Sequence, residues 1–117
     1  MTAGTYNIVA EQGTTFTLSF SIDTDGTPWD LTSYTAAMQV RPFVESTTKI
    51  LDLTSSSGIT LGGTSGTVTV SVSATTMAAK PAGRHVYDLE LTSAGGVVTK
   101  VLTGTFIIIP EVTRDDN

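Results

Sequence analysis

Apolar and hydroxyl-bearing residues alternate along this chain with a period of two. The clearest stretch is Thr15-Phe16-Thr17-Leu18-Ser19-Phe20-Ser21-Ile22, with hydroxyls on one face and Phe16, Leu18, Phe20 and Ile22 on the other. Such alternation predicts a half-buried strand, here over residues 14–22. The same reading predicts strands over residues 5–10, with Tyr6, Ile8 and Ala10 on one face, and over 34–41, with Ala36, Met38 and Val40 together. Residues 67–72 follow the pattern, as do 84–92, where Tyr87, Leu89 and Leu91 oppose Val86, Asp88 and Glu90. Residues 97–109 make a long last strand, with Gly104 as a bulge or bend. Shorter strands are expected over 49–53 and 59–61.

Turn residues separate these runs. Asp23-Thr24-Asp25-Gly26-Thr27-Pro28 and Ser93-Ala94-Gly95-Gly96 are turn sequences, and Gly62-Gly63-Thr64-Ser65-Gly66 reads as a flexible hairpin tip. From Ser73 to Lys80 the alternation fails, and an Ala-rich run behind a Ser73 cap predicts one short helical turn, stopped by Pro81-Ala82-Gly83. About seven or eight short strands, with turn signals every eight to twelve residues, predict an all-β antiparallel sandwich. A partly open barrel is the rival. Residues 1–117 form a single β-sandwich domain on this reading, with 1–4 and 111–117 as flexible termini.

Composition narrows the function more than the fold. Threonine fills 23 of 117 positions, and only 15% of residues are charged, against roughly 25% in an average domain. Neutral hydroxyls thus replace charge on the surface, which suits close packing against neighbours. A net charge of −5 and six scattered basic residues give neither a nucleic-acid footprint nor a polybasic membrane patch. There is no cysteine to staple a small core. The first residues, MTAGTYNIVAEQG, lack the basic start and apolar run of a secretory signal.

Chemistry-bearing groups are few. Asp23, Asp25 and Asp30 open like a calcium loop, but the closing glutamate is missing; Asp30 is equally a turn or helix cap. His85 is the only histidine, read as a rim residue, and Asp88, three positions on, falls on the opposite strand face. Asp88 and Glu90 share a face but read as solvated surface beside Lys100, without the cleft a glycosidase pair needs. Trp29, with Tyr34, is a glycan-stacking candidate, although a lone tryptophan is more often a plug over a sandwich end. Ile107-Ile108-Ile109 cannot all be buried by alternation, so either both faces are covered or one seeks a partner.

Three stretches together carry a resemblance. They are Ala10-Glu11-Gln12-Gly13-Thr14-Thr15-Phe16, then Trp29-Asp30-Leu31-Thr32-Ser33-Tyr34-Thr35-Ala36-Ala37-Met38-Gln39-Val40-Arg41, then Pro81-Ala82-Gly83 leading into Tyr87-Asp88-Leu89-Glu90-Leu91. This pattern resembles small virion proteins of tailed bacteriophages and the immunoglobulin-like domain that opens some siphophage upper baseplate proteins. The likeness runs from Tyr6 to about Arg114. Ser33 stands where glycine is usual, and His85 where tyrosine or phenylalanine often stands. The resemblance implies an immunoglobulin-like sandwich that works as a virion structural part, made in the host cytoplasm, with no cofactor and no active site.

The expectation is therefore a non-enzymatic assembly component of a phage tail, baseplate or fibre-attachment region. It would be present in several symmetric copies, with other virion proteins as partners and neither nucleic acid nor membrane. Its candidate contacts are strand edges and faces at Tyr6, Ile8, Ala10, Thr105, Ile107 and Ile109. The alternatives are a capsid decoration protein on the phage head and a carbohydrate-binding adhesion module using Trp29 and Tyr34.

Overall fold

The computed structural model of the protein describes residues 4–112. The predicted termini at residues 1–3 and 113–117 lie outside the described residues. The strands are β1 (Gly4–Thr5), β2 (Ile8–Glu11), β3 (Phe16–Ser21), β4 (Asp23–Thr24), β5 (Thr27–Pro28), β6 (Thr35–Arg41), β7 (Leu51–Thr54), β8 (Ile59–Leu61), β9 (Thr67–Val72), β10 (Gly83–Thr92) and β11 (Val98–Ile109). One helical turn, α1 (Ala74–Ala78), lies between β9 and β10. Its N-terminus is closed by Ser73, whose Oγ accepts the Thr76 N–H at 3.2 Å, and Met77 is the residue it buries.

The strands form two layers. One sheet has the order β1-β11-β10-β6-β7, with β2 also pairing β11, and the other has the order β3-β9-β8. This division, with the second, fifth and fourth sandwich strands in one sheet and the last two beside the third in the other, is the immunoglobulin-like arrangement. The extra edge strand β7 and the parallel β2·β11 pairing complete it. The chain is an immunoglobulin-like β-sandwich.

Alternation explains what fills the space between the layers. Ile8 and Ala10, Ala36, Met38 and Val40, Val68, Val70 and Val72, and Tyr87, Leu89 and Leu91 all point inward and are buried. At the centre the ring of Phe106 is fully buried. It meets Phe16 of the opposite sheet edge-on at 5.3 Å and 66°, and Tyr87 of its own sheet at 6.3 Å and 75°. With no cysteine in the chain, this ring contact is a direct link between the sheets.

The first predicted strand is broken in two. Beyond Thr5 the chain steps over Gly104, which pairs with Tyr87 on β10. A Cβ at Gly104 would collide with the Tyr6 carbonyl oxygen, so only glycine admits this crossing. The crossing is fastened from both sides. The Tyr87 hydroxyl donates to the Tyr6 carbonyl at 2.6 Å, the Tyr6 N–H donates to Thr103 O at 2.9 Å, and the Thr105 N–H donates to Asn7 Oδ1 at 3.2 Å. Gly104 is therefore not the predicted bulge. The register slips instead opposite Leu89 and Glu90, where Leu102 and then Lys100 are the partners, which leaves Val101 as the extra residue.

Two further expectations change. Gly63–Ser65 is a 3₁₀ turn rather than a loose tip, and Gly66 behind it takes φ 71°. Gly66 is packed so closely that a Cβ would lie 2.6 Å from Ile22 O, and the turn is sewn to the neighbouring loop by Ile22 N–H to Gly66 O and Leu31 N–H to Gly63 O, both 2.9 Å. The terminal segments are also held further than expected. Gly4 already lies in β1, and Glu111 donates its N–H to Gln12 Oε1 at 3.1 Å. The Gln12 Nε2 donates in turn to Lys80 O at 2.8 Å, tying the end of β11 to the end of α1.

Burial, with the Tyr6 phenol adding to it, pushes the Tyr87 hydroxyl up to about 12 from 10.0. The neutral phenol is the form that fits the fold. Its contribution is complete below pH 10 and is lost as pH rises toward about 12. Urea unfolding should therefore show stability falling across that window in the wild type and falling less in Tyr87→Phe. At neutral pH, Tyr87→Phe should cost about 1 kcal/mol, and Gly104→Ala about 1–3 kcal/mol because the crossing must distort.

Candidate interaction surfaces

The outer face of the larger sheet is concave and forms a groove of about 390 Å³. Gln39, Arg41, Asp88, Glu90 and Lys100 line it, with Val44 at the rim. Their outward direction follows from the pleat, since their neighbours Val40, Leu89 and Leu91 face the core. Lys100 Nζ lies 3.3 Å from Asp88 Oδ2, the cross-strand pair expected from sequence. Both partners are substantially exposed, so the pair adds at most about 1 kcal/mol. Arg41 is held by its own strand and the loop that follows it, donating to Gln39 Oε1 at 2.7 Å and to Ser46 O at 2.6 Å. Asp88 and Glu90 thus do line a groove, contrary to the expectation of a plain surface. Asp88 is occupied by a lysine there.

His85 is buried, not on the rim. Its Nε2 lies 2.9 Å from Pro81 O, while Nδ1 is buried with no partner. Pro81 O is an acceptor, so Nε2–H is the donor in that contact. Because β10 alternates, His85 faces the core and Asp88 the outside. The two do not form a base–carboxylate pair.

The three aspartates are not brought together. Asp23 pairs with Pro28 in the small β4·β5 hairpin, Asp25 takes φ 52° at its tip, and Asp30 Oδ1 accepts the Thr32 N–H at 3.0 Å. Those bonds to Thr32 hold the Asp30 carboxyl below its ordinary value. Among the described residues no group of three or more acidic, histidine or cysteine side chains is placed to share a metal ion. The three do not form the calcium loop expected of them: Asp23 is tied into the hairpin, Asp25 stands at its tip and Asp30 lies beyond it.

Trp29 and Tyr34 are both partly buried and pack against the core. The indole N–H is engaged by Thr24 Oγ1 at 2.9 Å, and the Trp29 backbone lies against Gly66. Trp29 thus packs against the core, as a plug would.

The contact candidates divide. Ile8 and Ala10 are core residues, 2% and 4% exposed, so they offer no contact surface. β11 is paired on both sides, by β10 and by β1 and β2, so Thr105, Ile107 and Ile109 are not on an edge as expected. Ile107 and Ile109 do point outward, and Ile109 is 41% exposed. Beside them lies Val9, register partner of Ile107 and 62% exposed, a residue that attention to inward positions passes over. With half-exposed Tyr6 this makes an uncovered apolar row along β2, the strand that borders the sheet.

The smaller sheet has its own open border at β3, next to a cleft of about 370 Å³ formed with β2 by Val9, Glu11, Thr15 and Thr17. No helix among the described residues is long and apolar enough to cross a membrane.

No family model matches the chain, and no curated protein matches it in sequence. Among solved structures it is similar to one described as parallel homodimer structures of the extracellular domains of the voltage-gated sodium channel beta4 subunit, said to explain that subunit's role in cell-cell adhesion. The match covers 96% of this chain and 98% of that one at 13% identity, with a TM-score of 0.43.

Two outcomes follow from this placement. Millimolar Ca²⁺ and excess chelator should give the same melting temperature by calorimetry; a rise with Ca²⁺ would restore the aspartate site. Trp29→Ala should lower stability by about 1–3 kcal/mol, the scale of uncovering a large apolar side chain.

Proposed function

We propose that this chain is a non-catalytic assembly module, a structural component of a tailed-phage particle that docks in the tail, baseplate or fibre-attachment region. The observation that carries the reading is the apolar row of Val9, Ile107 and Ile109 beside the unpaired border of β2. Exposed apolar rows and open sheet borders are the features by which small β-domains recruit partners. The resemblance of the Gln12-Gly13, Trp29-to-Arg41 and Pro81-to-Leu91 stretches to phage virion proteins supplies the setting. The surface chemistry supports it, because hydroxyls and few charges leave little to desolvate on packing. In the groove over Asp88, Glu90 and Lys100, the Asp88 and Lys100 charges are paired within the chain.

Gold-labelled antibody against the chain, imaged on particles released from the cells that make it, tests the setting. Label at the tail or its tip is expected. Label confined to the head would make the chain a capsid decoration protein, and particles without label would contradict a virion role. Val9→Lys and Ile109→Lys change exposed positions, so they should leave the fold intact and reduce incorporation into particles; unchanged incorporation would remove the β2 row as the docking contact.

A further inference from the structure

We propose that β3 is a homodimer edge: two copies of the chain join through antiparallel β3·β3 pairing around a two-fold axis at Ser19. The inference rests on the assembly reading and names the partner, a second copy, and the register.

β3 is the longest open border of the fold. Residues 16–21 pair with β9 on one side, and no strand among the described residues pairs with the other. Its devices against accidental pairing are missing. From Thr14 to Ile22 there is no charge, no proline and no glycine, whereas protected borders carry such residues. The competing borders are better guarded: β7 bears Asp52 paired with Lys49 at 3.2 Å, β8 is three residues long, and β2 is broken at Tyr6 and ends on Glu11.

The direction of the free backbone groups follows from the ladder. Ile22 donates its N–H to Gly66 O at 2.9 Å, in step with the Ser21–Thr67 register, so even-numbered residues of this strand face β9. On the far side of β9, Thr67 O accepts the Gly62 N–H at 2.8 Å, which gives the same phase. Thr17, Ser19 and Ser21 therefore turn their N–H and C=O groups outward from the sheet border.

An antiparallel two-fold must place inner side chains beside inner ones, and it must use those free groups. Centring on Ser19 does both. Ser19 then faces Ser19 of the second copy, and Thr17 faces Ser21. On the inner side Leu18 meets Phe20 of the second copy, twice by symmetry. Leu18 and Phe20 are only partly buried, while the flanking inner residues Phe16 and Ile22 are 8% and 5% exposed. The uncovered section of the inner face is thus the section the second copy covers. The strand reads apolar–hydroxyl alternately in both directions from Ser19, so the pattern is its own complement. Charge does not oppose the register, since Asp23 falls opposite Thr15. The remaining electrostatic term is repulsion between two chains of net charge −5, which salt screens.

Because the chain has no cysteine, single-cysteine variants report the register. In a hydrogen-bonded antiparallel pair the two Ser19 Cα atoms lie about 5.5 Å apart, within disulfide range. Two Ser21 residues would be separated by more than about 12 Å. Under mild oxidation Ser19→Cys should form a covalent dimer rapidly, while Ser21→Cys and Val9→Cys should not. In sedimentation velocity the wild type should show a dimer that strengthens with ionic strength, and Ser19→Lys, which sets two lysines face to face at an exposed position, should be monomeric with an unchanged circular dichroism spectrum. Crosslinking through Ser21→Cys or Val9→Cys as fast as through Ser19→Cys overturns the proposal. So does a wild type that stays monomeric at the highest attainable concentration. A monomer that still enters particles sinks only the β3 dimer; a dimer never found on particles sinks only the virion reading.

Discussion

The ring of Phe106 holds this structure together. It is fully buried between the layers, touching Phe16 across the sandwich and Tyr87 within its own sheet. A buried aromatic of this kind contributes about 1.5–3 kcal/mol through area alone, and edge-on ring pairs add about 0.5–1.5 kcal/mol. The consequence reaches the surface. Tyr87, fixed by Phe106, carries the hydroxyl that grips the Tyr6 carbonyl, and that bond guides the N-terminal chain across Gly104 onto the flank of β11. The border strand β2 and its outward Val9 lie where they do because of this core contact.

From that arrangement the surface inherits its character. Every inward apolar residue has an outward neighbour, and in this chain those neighbours are mostly threonine and serine rather than lysine and glutamate. Hydroxyls support β-structure and pack closely, but they guard sheet borders poorly. The result is a fold with a sparsely charged coat and one long border, β3, that carries no charge, proline or glycine. The histidine faces in, the neighbouring carboxylates face out, and Asp23, Asp25 and Asp30 are not brought together. Fold alone does not decide function.

Much of the fold was legible because alternation is a local signal. Residues 67–72 and the Ser73 cap fall where the pattern puts them, as does the outward trio Val86, Asp88 and Glu90 with Lys100 beside it. What sequence did not reveal depends on contacts between distant residues. Nothing near Gly104 announces that Tyr6 will cross it, so a steric requirement read as a bulge. His85 reads in sequence as a rim or edge residue, whereas its strand position buries it and Pro81 O receives its ring. Ile107 and Ile109 were read as an edge because strand order is invisible in a single chain, and β1 and β2 close that side of β11. Val9, the residue that completes the apolar row, falls on the outward phase of its strand, where alternation predicts a polar side chain.

The aromatic link between the sheets can be measured by a double-mutant cycle with Phe16→Leu and Phe106→Leu, each variant unfolded in urea. A coupling of about 0.5–1.5 kcal/mol between the two positions is predicted for rings in edge-on contact. Strictly additive losses would contradict it and show that the two sheets are joined by bulk burial without this contact.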